Sequence, residues 1–144
     1  MRRLLFLAAL LFAASAWGDG PTVRAGHVWI REAPPGVKVL AGYFTLENLT
    51  DKPLSLISVS SPDFDSAMLH QSVVKDGVES MLPVDTLPIP AGASVELKPG
   101  GFHVMLAQPK KNLFAGDLVT LFLKFSDQSE LTLLAPVRRD EPGR

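Results

Sequence analysis

Four donor side chains of this 144-residue sequence recur at a spacing that suits one soft metal ion. They are His70, Met81, His103 and Met105, separated by ten, twenty-one and one intervening residues. Thioether sulfur is soft and uncharged and is a poor match for Mg²⁺, Ca²⁺ or Zn²⁺, whereas imidazole accepts several transition metals. Four neutral ligands also do nothing to offset the additional charge of Cu(II). The residue types therefore predict a site for Cu(I).

The last two candidate ligands lie on one predicted strand. His103 and Met105 are two residues apart within a β-type run at residues 102–107. Side chains two positions apart leave the same face of a strand. This pair can therefore converge on one ion without help from another element.

The first two candidate ligands belong to a predicted hairpin. Asp76-Gly77 is a strong signal for a two-residue turn, and the resulting register sets Ser72 opposite Met81. His70 is then the diagonal neighbour of Met81 on the same face, at about 7–8 Å. We expect two sheets to approach each other so that this pair meets the pair formed by His103 and Met105.

The composition narrows the chemistry further. The sequence contains no Cys, which removes thiol nucleophiles, disulfides, thiolate zinc sites, iron–sulfur clusters and the Cys-ligated blue-copper centre. The predicted site therefore suits holding and passing an ion better than cycling electrons. A formal net charge of −1 offers no basic surplus for binding nucleic acid or an anionic membrane.

The N-terminal residues have the pattern of a secretory signal peptide. Residues 1–16 begin with two Arg after Met1, continue through an apolar run and end in small residues. We predict cleavage near Ala16, with a boundary that extends to about residue 20, and a periplasmic mature protein. The apolar run is shorter than the roughly 20 residues of a transmembrane anchor, and the lack of Cys argues against a lipid anchor. No stable membrane insertion is expected after cleavage.

The remaining sequence is rich in β-type runs separated by Gly, Pro, Asn and Asp. We predict one all-β domain at residues 21–137, an antiparallel sandwich or barrel, followed by a short polar tail at 138–144. Its strands are predicted at 23–32, 39–47, 54–60, 66–74, 78–83, 93–97, 102–107, 118–125 and 131–137. Its core is predicted to include the aromatic residues Trp29, Tyr43, Phe44, Phe122 and Phe125.

The ligand spacing resembles the copper motif of the periplasmic copper chaperone family called PCuAC. The match is residue for residue at His70, Met81, His103 and Met105. The surrounding sequence is also similar to that family over most of residues 25–137. The similar segments are residues 29–36, 42–48, 76–81 and 97–105.

The resemblance implies a cupredoxin-like, antiparallel Greek-key β-sandwich that binds one Cu(I) per chain through these four residues. It implies a monomeric metallochaperone, not an enzyme, that delivers copper to the CuA centre of cytochrome c oxidase subunit II. A Sco-type thiol chaperone would work alongside it. Some relatives carry a His- and Met-rich C-terminal tail, but residues 138–144 contain neither residue type, so a second copper site is not expected.

Several alternatives remain open from the sequence. The same four residues would also serve a periplasmic copper storage or resistance protein, or a redox protein. In a metal-free secreted β-sandwich that acts as an interaction module, their spacing would be a coincidence. Met68, two residues before His70 on the same face, is either a spare ligand or packing. His27 has no soft neighbour nearby in the sequence and is interpreted as structural.

Overall fold

A computed structural model of the chain describes residues 20–143, and the regular structure in this part is all β. The signal peptide predicted at residues 1–16 lies outside the described residues. In the described part the strands are β1 Val23–Arg31, β2 Val39–Asn48, β3 Leu54–Ser60, β4 Phe64–Lys75, β5 Val78–Pro83, β6 Leu87–Ile89, β7 Ser94–Leu97, β8 Phe102–Pro109, β9 Leu118–Phe125 and β10 Glu130–Arg138. None of the described residues forms a helix with the length and apolar character of a membrane span.

The strands form one open sheet that folds over a common core. From edge to edge the order is β5-β4-β8-β2-β1-β10-β9-β3-β6, and β7 pairs with β2 beside this path. Among the described strands, all except β5 contribute to one buried apolar cluster. The two halves of the sheet therefore face each other across a single apolar layer, which confirms the predicted β-sandwich.

One strand pair departs from the predicted antiparallel arrangement. Strands β1 and β10 run parallel, with Ile30 opposite Val137, whereas the pairs that flank them are antiparallel. A hairpin turn forces its two strands to be antiparallel, but most of the domain separates β1 from β10. No local turn dictates their relative direction, and their pairing joins the two halves of the sheet.

The nine predicted strands are all present, and the prediction missed β6. This short strand contains Pro88, which has no backbone N–H and argues against a strand in the sequence. In the structure β6 lies at an edge of the sheet and pairs with β3 alone. An edge position tolerates proline because one side of the strand needs no ladder hydrogen bonds.

The turn between β4 and β5 has the predicted geometry. Asp76 and Gly77 have φ angles of 52° and 75°, the two positive values that a type I′ hairpin requires. Glycine adopts this conformation without a steric penalty. Ser72 pairs with Met81 across the hairpin, which confirms the register predicted from the sequence.

The aromatic residues divide between the two faces of the sheet. Phe44 and Phe125 belong to the buried core, as predicted. The prediction for Phe122 is wrong, because β9 buries alternate residues and leaves Phe122 on the other face, 45% exposed. Trp29 and Tyr43 are buried but lie outside the core cluster. They pack against each other as a cross-strand pair, with ring centroids 4.9 Å apart.

Candidate metal centre

Two histidines stand side by side on neighbouring strands. His70 of β4 pairs directly with His103 of β8. Their ring centroids are 5.9 Å apart, and the ring planes are nearly perpendicular, at 88°. The adjacent residues Leu69 and Val104 belong to the core. Because side chains alternate along a strand, both imidazoles lie on the opposite, outer face of the sheet.

Each imidazole is buried and has one buried nitrogen without a hydrogen-bond partner. His70 is 8% exposed and His103 is 4% exposed, and Nδ1 of His70 and Nε2 of His103 find no partner among the described residues. Nδ1 of His103 donates a hydrogen bond to the Gly101 carbonyl at 3.2 Å, which leaves a lone pair on Nε2 of the neutral ring. Buried polar atoms are normally satisfied, so these two nitrogens fit a ligand such as a metal ion.

Burial keeps His70 in its neutral form. The pKa of His70 lies below its usual value of 6.5, mainly because a charged ring would lose its hydration, and the nearby His103 lowers the pKa further. A metal binds the neutral imidazole. Near neutral pH, the His70 ring is therefore ready to act as a ligand.

The two thioethers predicted as ligands have different positions relative to the imidazoles. Met105 follows His103 by two residues on β8, shares its face and is partly buried. Met81 lies on the edge strand β5, diagonal to His70 on that same face, and is 57% exposed. The structure thus groups His70, His103 and Met105 closely and sets Met81 at one side of the group.

The predicted way of joining the two ligand pairs is wrong. The pairs do not meet by the approach of two sheets, because β4 and β8 are direct neighbours in one sheet. The pairing of β4 with β8 within this sheet brings the β4–β5 hairpin beside His103 and Met105. The sequence offers no local signal for this pairing, since the two strands are far apart along the chain and no turn connects them.

A third thioether lies beside the same group. Met68 is directly opposite Met105 in the β4–β8 ladder and is 46% exposed. In the sequence, its spacing of two residues from His70 is the signal that it shares a face with the candidate ligands. Its proximity to Met105 follows from the strand pairing alone.

The described chain contains no competing cluster of hard or borderline ligands. Within residues 20–143, no three side chains of His, Cys, Asp or Glu come together in a group able to hold a metal. His27 is exposed, has a φ of 50° and lies at an irregularity in β1, with β2 between β1 and β8. The donors around His70 and His103 are two imidazoles and neighbouring thioethers, a set that suits a soft ion.

Comparison with known proteins identifies the family. The LpqE-like model, described as "Putative lipoprotein LpqE-like", matches residues 23–137. The chain belongs to the LpqE-like family. "Putative lipoprotein Lxx21020" of Leifsonia xyli subsp. xyli (strain CTCB07) is 32% identical over 117 residues, which are 81% of this chain and 69% of that protein. "Uncharacterized protein RP573" of Rickettsia prowazekii (strain Madrid E) is 35% identical over 103 residues, 71% of this chain, and the match spans 57% of that protein.

Solved PCuAC domains have the same fold as this LpqE-like protein. The copper-bound PCuAC domain from PmoF2 superimposes with a TM-score of 0.71 and 27% identity, over 85% of this chain and 97% of that domain. The solution structure of Cu(I)-bound DR1885 from Deinococcus radiodurans gives a TM-score of 0.68 and 33% identity, over 91% of this chain and 87% of that one. The predicted resemblance to PCuAC is therefore confirmed. PCuAC domains are copper chaperones and not enzymes, in agreement with the prediction that this protein is not an enzyme.

Proposed function

We propose that this protein is a copper chaperone that binds one Cu(I) per chain through His70, Met81, His103 and Met105. The observation that carries the proposal is the pair of buried imidazole nitrogens without hydrogen-bond partners in the described structure, on rings 5.9 Å apart. The copper-bound PmoF2 domain and Cu(I)-bound DR1885 share the fold. Together, these observations support copper as the cargo of the site.

The donor set favours Cu(I) over Cu(II) and over hard cations. The four proposed ligands bind as neutral groups, because thioethers carry no charge and imidazole binds a metal in its neutral form, which burial favours for His70. Soft sulfur donors select Cu(I), whereas Mg²⁺ and Ca²⁺ require oxygen donors. Without a thiolate, the site also lacks the ligand that blue-copper electron carriers use.

The arrangement also suits transfer of the cargo to another protein. Met81 is exposed on an edge strand whose six residues are all exposed, while the two imidazoles on β4 and β8 are buried. A ligand of a receiving protein can replace an exposed, uncharged thioether without displacing an anionic thiolate. The buried imidazoles hold the ion while this exchange begins, which keeps free copper low.

We further propose the CuA site of cytochrome c oxidase subunit II as the receiver, with a Sco-type thiol chaperone acting alongside. In this proposal the chain is exported to the periplasm, is cleaved near Ala16 and acts as a monomer. The lipoprotein names of the Leifsonia relative and of the family support a location in the cell envelope. Transfer is tested by mixing the Cu(I)-loaded protein with the isolated CuA domain, separating the two and measuring the copper in each. Copper that stays with the donor would contradict this receiver.

Anaerobic Cu(I) loading followed by elemental analysis tests the binding proposal. We expect one copper per chain in the wild type. Met105→Leu keeps the size and apolar character of the side chain but removes the sulfur, and we expect its Cu(I) affinity in a chelator competition to fall at least about tenfold. Leu134→Ile, an exposed change on β10, is the matched control and should leave affinity unchanged. A wild type that retains no copper would overturn the proposal.

A further inference from the structure

Met68 has the position of a ligand in the strand ladder. It is paired directly with Met105, in the same way that His70 is paired with His103. Side chains directly opposite each other in an antiparallel pair have Cβ atoms about 4.5–5.5 Å apart, and diagonal neighbours lie at about 7–8 Å. Met68 therefore lies within side-chain reach of Met105 and of both imidazoles.

Met81 approaches the imidazoles from the other side. Its cross-strand partner Ser72 lies two residues after His70, whereas Met68 lies two residues before it. Met81 and Met105 are two strands and four positions apart in the ladder. The two exposed thioethers thus flank the imidazole pair, and Met68 is the one beside Met105.

Exposure separates the donors into two groups. His70 and His103 are buried and Met105 is partly buried, while Met68 and Met81 are both open to solvent. Thioethers are flexible and their contacts are readily rearranged. The buried donors form the base of the site, and the two exposed thioethers are the part that is free to rearrange.

We propose that Met68 is a fifth copper-binding side chain, which alternates with Met81 as the exposed ligand of a Cu(I) ion held by His70, His103 and Met105. This inference rests on the proposed function, because it concerns the same cargo. When one exposed thioether leaves the ion, the other takes its place and keeps the ion four-coordinate until a ligand of the receiving protein binds. The step exchanges one neutral ligand for another, so no electron or proton is transferred.

The first test observes Met68 directly. Cu(I) is added anaerobically to the full protein labelled with ¹³C at the methionine methyl groups, and the Met68 resonance is assigned by its loss in Met68→Leu. We expect this resonance to shift in proportion to Cu(I) up to one equivalent. A ligand should shift as far as Met105 does, whereas a side chain that only packs beside the site should shift much less.

The second test measures the consequences for binding and transfer. In competition with bicinchoninate, we expect Met68→Leu alone to lower Cu(I) affinity only about twofold, because Met81 still completes the site, and Met68→Leu combined with Met81→Leu to lower it at least about 100-fold. Leu82→Met in the background of both Leu substitutions is the matched control. It adds one thioether back, but Leu82 pairs with Gln71 on the opposite face from Met81, so affinity should not recover.

The outcomes separate this inference from the proposed function. A wild type that binds one Cu(I), with a stationary Met68 resonance and with a double variant that binds as tightly as Met81→Leu alone, would refute the role of Met68 and leave the chaperone proposal intact. A wild type that takes up no Cu(I) would refute both. Recovery of affinity in the Leu82→Met control would also contradict the inference, because the position of the thioether would then be irrelevant.

Discussion

Asn48 and the His70–His103 pair are the buried polar groups of the described structure, and they differ in how their hydrogen bonds are satisfied. Asn48 is 1% exposed; its Nδ2 donates to the carbonyls of Lys52 and Ile89 at 2.7 and 3.1 Å. Its Oδ1 accepts hydrogen bonds from the backbone N–H and hydroxyl of Thr50 at 3.0 and 2.8 Å. Each histidine, in contrast, has one buried nitrogen without a partner among the described residues.

The difference indicates what each polar group contributes. A satisfied buried amide stabilises the folded chain, because removing it leaves its partners unpaired. An unsatisfied buried nitrogen costs stability in the ligand-free protein, and a bound ion can recover that cost. Asn48 thus connects the loop that follows β2 to strand β6 by hydrogen bonds. The histidines, in contrast, keep lone pairs available for a ligand.

The largest expected effect on folding comes from Asn48→Ala. The substitution removes the side-chain hydrogen bonds to the carbonyls of Lys52 and Ile89 and to the N–H of Thr50, so the free energy of unfolding should fall by about 2–4 kcal/mol. Urea denaturation of the copper-free protein measures this loss. Cu(I) affinity of the folded variant should stay at the wild-type value, and a parallel loss of affinity would remove the distinction between the two regions.

His70→Leu should have the opposite pattern. It replaces the proposed ligand and its unsatisfied nitrogen with an apolar side chain, so we expect Cu(I) affinity to fall at least about 100-fold. The stability of the copper-free protein should change by no more than about 1 kcal/mol. Chelator competition and urea denaturation on the same sample measure both. A destabilisation as large as that of Asn48→Ala would mean that His70 is structural.

A smaller effect should appear in the pH dependence of folding. The pKa of His70 is lowered in the folded state, so below the usual value of 6.5 the unfolded chain takes up a proton that the folded chain does not. The stabilising contribution of neutral His70 is therefore present above pH 6.5 and is lost as the pH falls through the lowered pKa. Copper-free wild type should lose stability relative to His70→Leu between pH 7.5 and 5. The penalty of Asn48→Ala should not change over this range, since amides do not titrate.

Much of the fold and part of the site could be predicted from local sequence patterns. The strand runs, the Asp76-Gly77 turn and the pairing of Ser72 with Met81 depend on neighbouring residues, and all are confirmed. The missed strand β6 and the exposed Phe122 show the limit of these patterns. A proline such as Pro88 is tolerated at the edge of a sheet but not in its centre, and an apolar run is buried differently in the two positions. The sequence of one segment does not show where in the sheet that segment lies.

The sequence by itself determined which donors are available and how the nearest of them pair: two imidazoles, three thioethers, no thiol, and a turn that sets the β4–β5 register. Tertiary structure decided that β4 lies beside β8, which places His70 against His103 and Met68 against Met105. It also decided that two imidazole nitrogens are buried without partners in the described structure. The physical reason is that hairpin register follows from local backbone geometry, whereas pairing between strands distant in the chain depends on how the whole sheet buries its apolar face.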